Sequence, residues 1–154
     1  MIQSAISKRR ALFFGVQSRV CAVELTNVIE IMRPLPIEPV PGVPPFVLGV
    51  SIIRGLPTPV VDLGAVLGKP LYAADRFVTL RMGGRQVALA VSAVLGVHEL
   101  DPTLPELPAL LQGAPKDIIE SISALDEQVF VILRGAWVLP EQVWQTLSTR
   151  EVVA

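Results

Sequence analysis

The apolar residues of this chain are grouped into segments of five to eight, each cut off by glycine, proline or charge. That is the length of a strand, and it is too short for a stable amphipathic helix. Ten such segments can be read: Ala11–Val16, Val20–Leu25, Val28–Met32, Val47–Ile53, Pro59–Leu63, Phe77–Met82, Gln86–Val91, Val94–Leu100, Ile118–Leu125 and Gln128–Leu133. They are rich in β-branched side chains, with 22 valines and 11 isoleucines in 154 residues, and such side chains suit a pleated, half-buried surface. Ten short strands without long helical segments between them predict an all-β barrel or sandwich and exclude a βαβ design.

Turn residues agree with this reading. Gly83-Gly84, Arg54-Gly55-Leu56-Pro57 and Asp126-Glu127 each separate two apolar segments and predict hairpins. Asp62 is placed to cap a short helical turn through Gly64–Leu67, ended by Gly68. Pro140 predicts the start of a terminal helix running to about Ser148, with Val143, Trp144 and Leu147 on one face. Pro34–Pro45 holds six prolines in twelve residues, so it must be a connector or a sheet edge. Asp101–Pro115 holds four prolines and takes an equivalent place in the second half.

The two halves also match in sequence. Ala22–Ile31 echoes Ala88–Val97 at a constant offset of 66, and Pro59–Leu63 loosely echoes Val129–Leu133. This predicts two five-stranded units of similar design, joined near Lys69–Arg76. The organisation expected is a tail over 1–10 and one domain over 11–150. Within it, one unit spans about 11–68, a second about 76–134, and a helix about 140–148.

Hydrophobic residues make up 51% of the chain and charged residues 18%, which excludes disorder for most of it. A net charge of -1 without a basic cluster excludes a dedicated nucleic-acid binder. The charge is nevertheless uneven, with eight Lys+Arg against five Asp+Glu up to residue 76, and five against nine after it. The longest charge-free stretch is Pro39–Ile53, interrupted by four prolines, whereas a membrane-spanning helix needs about 20 apolar residues. The apolar stretch near the N-terminus is too short for a secretory signal, so the chain is read as cytoplasmic.

Catalytic motifs are missing. One cysteine and one histidine cannot assemble a Cys/His zinc site, and there is no G-x-S-x-G elbow, P-loop or G-x-G-x-x-G. Cys21 lies within a strand pattern, where a free cysteine is usually a small buried hydrophobe. The chain is expected not to be an enzyme, with only Cys21 and His98 leaving room for a small barrel enzyme or ligand sensor. The arrangement that stands out is Gly49 through Arg54-Gly55 to Pro59-Val60-Val61-Asp62-Leu63. Gly55 permits a sharp turn that projects Arg54. Two readings of Arg54 are balanced: an interface anchor, or a structural partner of Asp62 or Glu30 that fixes the turn.

Four stretches, in this order and spacing, resemble a CheW-type protein, the coupling scaffold of bacterial chemosensory arrays. They are Phe14-Gly15 with Ala22–Leu25, Val28–Ile31, the proline-rich Pro34–Pro45, and Gly49-Val50 through Arg54-Gly55 and Pro59–Leu63 to Leu67-Gly68. The likeness spans about residues 11–147 and is strongest over 11–68. The second half departs from the family pattern, with Val91-Ser92 where a Val-Asp pair is usual and Ile132-Leu133-Arg134 where a Leu-Leu-Asp type of triplet is usual.

The resemblance implies two five-stranded SH3-like β-barrels packed around a shared core, with no catalytic activity and no cofactor or metal. It implies two partners, the regulatory domain of a histidine kinase and the cytoplasmic tip of chemoreceptors, with neither nucleic-acid binding nor membrane insertion. It places the protein in the cytoplasm, at receptor arrays beneath the inner membrane. On this reading the partner-binding residues are Arg54, Glu30, Val28, Ile31, Val50 and Ile52. The divergent second half leaves an alternative, a module of a non-flagellar chemosensory system controlling pilus motility or development.

Overall fold

The computed structural model describes residues 9–17, 19–66, 70, 73–82, 84–100, 119–125, 128–133 and 143–147. Its strands are β1 (Arg9–Val16), β2 (Arg19–Glu24), β3 (Val28–Met32), β4 (Val47–Ile53), β5 (Leu56–Asp62), β6 (Arg76–Met82), β7 (Arg85–Val91), β8 (Ala93–Leu100), β9 (Ile119–Leu125) and β10 (Gln128–Leu133). All ten expected segments are strands. The first begins at Arg9, inside the span expected to be a tail. The fifth begins at Leu56, three residues before expectation. Its prolines are tolerated because Pro57 and Pro59 pair only with β4, and the second neighbour, β7, joins at Val60.

The strands form two five-stranded sheets, ordered β8-β1-β2-β10-β9 and β3-β6-β7-β5-β4. No closed barrel is found among the described residues. Each sheet takes strands from both halves of the chain, so the units hydrogen-bonded together are not the sequential spans 11–68 and 76–134. The cause is local. A three-residue 3₁₀ turn, Leu25–Asn27, carries the chain from β2 in one sheet to β3 in the other. Ser92 alone separates β7 from β8 and carries it back.

With β3 and β8 exchanged in this way, the two sheets have the same design. Advancing every strand number by five, cyclically, turns one strand order into the other. The 66-residue offset holds in the hydrogen-bond register as well. Ala11 faces Glu24 in β1–β2, and Phe77 faces Ala90 in β6–β7. Phe13 faces Gly96 in β1–β8, and Thr79 faces Glu30 in β3–β6, and the register slips by one residue just beyond each of these pairs. The parallel pairs β2–β10 and β7–β5 also correspond.

Among the described residues, strand alternation divides the buried apolar side chains among three clusters. From β1, Leu12, Phe14 and Val16 join the main cluster, while Ala11 and Phe13 face a small cluster with Ala22. From β7, Val87, Leu89 and Val91 join the main cluster, while Ala88 and Ala90 face a third cluster with Ile53, Val60 and Phe77. Central strands with both faces buried account for the nearly continuous apolar segments of the sequence. The main cluster also takes Val40 from the proline-rich segment and Val143, Trp144 and Leu147 from the helical residues 143–147. These are the three side chains expected on one face of the terminal helix, and that face is buried. Asp62 caps α1 (Leu63–Val66), with its Oδ1 accepting from the Ala65 amide at 3.1 Å. The second proline-rich segment, Asp126-Glu127, Arg134 and Trp137 lie outside the described residues.

Candidate functional site

β4 and β5 form a hairpin in which Ile53 faces Leu56, leaving Arg54-Gly55 as a two-residue loop. Both loop residues have positive φ, 50° at Arg54 and 79° at Gly55, as a type I′ turn requires. A positive φ costs a non-glycine residue such as Arg54 about 1–2 kcal/mol. The arginine placed there makes an ion pair across the sheet. Arg54 Nε donates to Glu30 Oε1 at 2.6 Å, and Nη2 donates to Glu30 Oε2 at 2.8 Å. Glu30 is itself fixed at the register slip, where the Thr79 hydroxyl accepts from its amide at 3.1 Å and donates to its carbonyl at 3.2 Å. Hydrogen bonding from Arg54 holds the Glu30 carboxyl below the ordinary glutamate range, and the same contact raises Arg54.

The partner of Arg54 is therefore Glu30, and Asp62 is committed to its cap. The pair joins the hairpin of β4 to β3, the strand on the opposite edge of the same sheet. The chain after β3 closes the same gap. The Glu38 amide donates to the Val50 carbonyl at 2.8 Å, and the Val50 amide donates to the Glu38 carbonyl at 2.9 Å. The Ser51 hydroxyl donates to the Pro36 carbonyl at 2.7 Å. Gly49 permits this approach, because with φ +146° a Cβ there would overlap the Glu38 carbonyl. The expected connector-or-edge role of the proline-rich segment takes the form of an edge strap on β4.

Around the ion pair lies exposed apolar surface. Arg54 is 77% exposed, although both of its carboxylate contacts are made. Ile52 and Leu56, on the two arms of the hairpin, are the most exposed large hydrophobic residues described, at 62% and 56%. Ile31 is exposed on β3. Of the six residues expected to bind partners, Arg54 and Glu30 are in contact, and Ile31 and Ile52 are exposed. Val28 and Val50 instead pack, partly buried, against the main core.

Sequence reasoning overlooked Leu56 and also a pattern within the repeat. Ile29 and Ile31 of β3 are exposed, and so are Leu95 and Val97 of β8, each 66 residues further on. Glu30 between the first two corresponds to Gly96 between the second two, so the equivalent apolar pairs differ in charge. The repeat contained this signal, but periodicity alone gives no exposure for an exchanged edge strand.

The remaining candidates are structural. Cys21 is fully buried, and burial pushes its thiol up to about 12, so it is not a nucleophile at neutral pH. His98 is exposed and meets the Phe13 ring edge-on at 5.3 Å between centroids. Ser92, at the departure from the family's Val-Asp pair, accepts from the Gln17 amide at 2.9 Å and so stabilises the β1–β2 turn, as a carboxylate there would. Among the described residues no cluster of three His, Cys, Asp or Glu is arranged to hold a metal ion. No helix among them is long and apolar enough to cross a membrane.

The surface is thus a hairpin anchored by an arginine fork and flanked by exposed aliphatic side chains, with no acid–base or nucleophilic pair. That chemistry suits contact with another protein. Comparison with known proteins agrees on the fold and the lineage. The family model of the CheW-like domain matches residues 10–143. The chain is 30% identical over 125 residues to the chemotaxis protein CheW of Bacillus subtilis strain 168, covering 77% of each chain. It is 27% identical over 138 residues to the chemotaxis protein CheW of Rhizobium meliloti strain 1021, covering 87% of this chain and 89% of that one. The scaffolding protein TtCheW of Thermoanaerobacter tengcongensis superposes with a TM-score of 0.73 at 22% identity, covering 82% of this chain and 84% of that one, which establishes the fold. With a family match spanning nearly all of the described strands, relatives similar over most of their length and the same fold, the chain belongs to the CheW-like family.

Proposed function

We propose that this protein is a non-catalytic chemotaxis adaptor that couples chemoreceptors to a histidine kinase. The observation that carries the reading is the family match over residues 10–143, in a chain whose named relatives are chemotaxis proteins. The adaptor acts in the cytoplasm, at receptor arrays beneath the inner membrane. We read its two five-stranded sheets as the counterparts of the family's two SH3-like barrels, each assembled from both halves of the chain within one domain. For the sheet β3-β6-β7-β5-β4, the Arg54–Glu30 pair between its two edges and the Glu38–Val50 bridge, which ties the chain after β3 to β4, support that assignment.

The regulatory domain of the kinase and the cytoplasmic tip of the receptor are the partners. The hairpin with Arg54, Ile52 and Leu56, together with Glu30 and Ile31, supplies one contact surface. Exposed apolar side chains gain from burial in proportion to area, and an exposed, pre-paired arginine adds directional hydrogen bonding. Val28 and Val50 support that surface from behind through the main core. A module for pilus motility or development has no specific observation in its favour.

The test is calorimetric titration of the wild type with a receptor-tip fragment and, separately, with a kinase regulatory domain. Both should bind. Arg54→Ala and Ile52→Glu, each shown by circular dichroism to be folded at the titration temperature, should weaken at least one titration tenfold or more. Wild-type binding to both partners that survives both substitutions would place the contact surface elsewhere, and failure of the wild type to bind either partner would refute the adaptor role.

A further inference from the structure

The helical residues 143–147 lie far in sequence from the β4 edge, yet one continuous set of contacts connects them. Val143, Trp144 and Leu147 are buried in the main core together with Val40 of the proline-rich segment, with Val43 and Phe46 packed against the same cluster. Gly42, at φ +86°, brings that segment beside the helix, where a Cβ would lie 3.8 Å from Thr146 Cγ2. On its other side the same segment is the strap on β4, held by the two Glu38–Val50 hydrogen bonds and by Ser51 to Pro36. The six prolines stiffen the strap, so it transmits displacement instead of absorbing it.

The docking of the helix has a favourable and an unfavourable component. The Arg85 guanidinium, at the start of β7, stacks 4.7 Å from the centroid of the Trp144 ring. The Trp144 indole N–H is buried and has no hydrogen-bond acceptor among the described residues, which offsets part of the gain from burial. Within the described helical residues 143–147, docking depends on Val143, Trp144 and Leu147, and the unpaired indole N–H of Trp144 weakens it.

We infer that the C-terminal helix is a clasp that holds the proline-rich strap on the β4 edge, so that helix and strap open together as one unit before the rest of the fold. Opening removes the partners of the Val50 N–H and C=O and uncovers an edge strand beside the Arg54 hairpin. An unpaired edge strand is an aggregation liability, and the clasp keeps this one closed. The inference rests on internal contacts alone and stands whether or not the receptor and kinase assignment holds.

Native-state hydrogen exchange of the full chain at increasing sub-denaturing urea tests it. The amides of Glu38, Val50 and Leu147 should converge on one opening reaction, below the one shared by Val78 and Leu89. In the Trp144→Ala chain those three amides should exchange faster by a common factor of at least ten. Arg85→Met, which keeps stacking bulk without the charge and leaves the core intact, should accelerate the same three by a smaller common factor. Convergence of Glu38 and Val50 with Val78 and Leu89 in the wild type would overturn the inference. So would an acceleration at Leu147 that leaves Glu38 and Val50 at wild-type rates.

Discussion

Replacing Gly49 by alanine isolates the strap on β4. The backbone at Gly49 has φ +146°, outside the region an L-residue adopts without strain, and a Cβ there would overlap the Glu38 carbonyl oxygen. The Ile37 side chain, 2.9 Å from the same point, can swing aside, but the carbonyl cannot move without lifting the strap. Lifting it breaks the two Glu38–Val50 hydrogen bonds, each contributing about 1 kcal/mol. Backbone strain adds about 1–3 kcal/mol. The sum is a loss of about 3–5 kcal/mol, which for a domain of this size lowers the melting temperature by about 10 °C. Gly55 provides the control. It also has positive φ, at +79°, but an added Cβ there meets nothing within 4 Å. Gly55→Ala should therefore lose only the αL cost of about 1–2 kcal/mol. Urea denaturation of both variants beside the wild type, with unfolding free energies compared at matched slopes, measures the difference. Equal losses for the two substitutions would refute the steric argument and leave only a generic preference for glycine.

Other consequences follow from the same contacts. In Arg54→Ala the Glu30 carboxyl should titrate upward toward its ordinary value, read by carbon NMR of the side chain. Because pairing lowers the folded pKa of Glu30, its contribution to stability is present above the ordinary glutamate range and lost as pH falls through the folded value. Wild type and Arg54→Ala should therefore converge in stability toward acid pH, and divergence there would contradict the pairing. Cys21 should resist alkylation in the native protein at pH 8 and react at the rate of unfolding when urea is added. Its raised folded pKa also gives the sign at high pH: no effect below the unfolded thiol value, and growing destabilisation above it, measured as the difference from Cys21→Ala. Asp62→Ala should cost about 1–2 kcal/mol through loss of the α1 cap, read from the denaturation midpoint, and Asp62→Asn should recover much of it because an amide oxygen can accept the Ala65 bond.

The strands were legible because their information is local. β-branched segments of strand length, bounded by turn residues, located all ten, and even the helical face of Val143, Trp144 and Leu147 followed from spacing. Asp62 as a cap was legible for the same reason, since a cap bonds three residues ahead. Boundaries were missed where a neighbour was needed to set them. Whether Leu56–Thr58 could be strand depended on β7 joining only at Val60, and that pairing partner lies about thirty residues away.

The partition of strands between the sheets was not legible. The 66-residue repeat suggested two units in succession, but the chain crosses between sheets at Leu25–Asn27 and again at Ser92, so β3 and β8 are exchanged. Nothing in a three-residue turn states which sheet the next strand will join, because both choices preserve the alternation of side chains. The candidate site was half legible for a related reason. The turn chemistry of Arg54-Gly55 projected the arginine, but spacing alone left both Glu30 and Asp62 open as its partner. Tertiary structure chose Glu30, since Asp62 lies under α1 and the Thr79 hydroxyl fixes Glu30 at the register slip.

By itself the sequence determined the ten strand segments, the Asp62 cap, the turn at Arg54 and the family likeness, because these depend on residue type and short spacing. Only the tertiary structure decided the exchange of β3 and β8, the Arg54–Glu30 pair, the strap on β4 and the exposure of Ile29, Ile31, Leu95 and Val97. Each of these depends on segments far apart in the chain meeting across a sheet, where the balance of burial and hydrogen bonding is set by neighbours that no local pattern names.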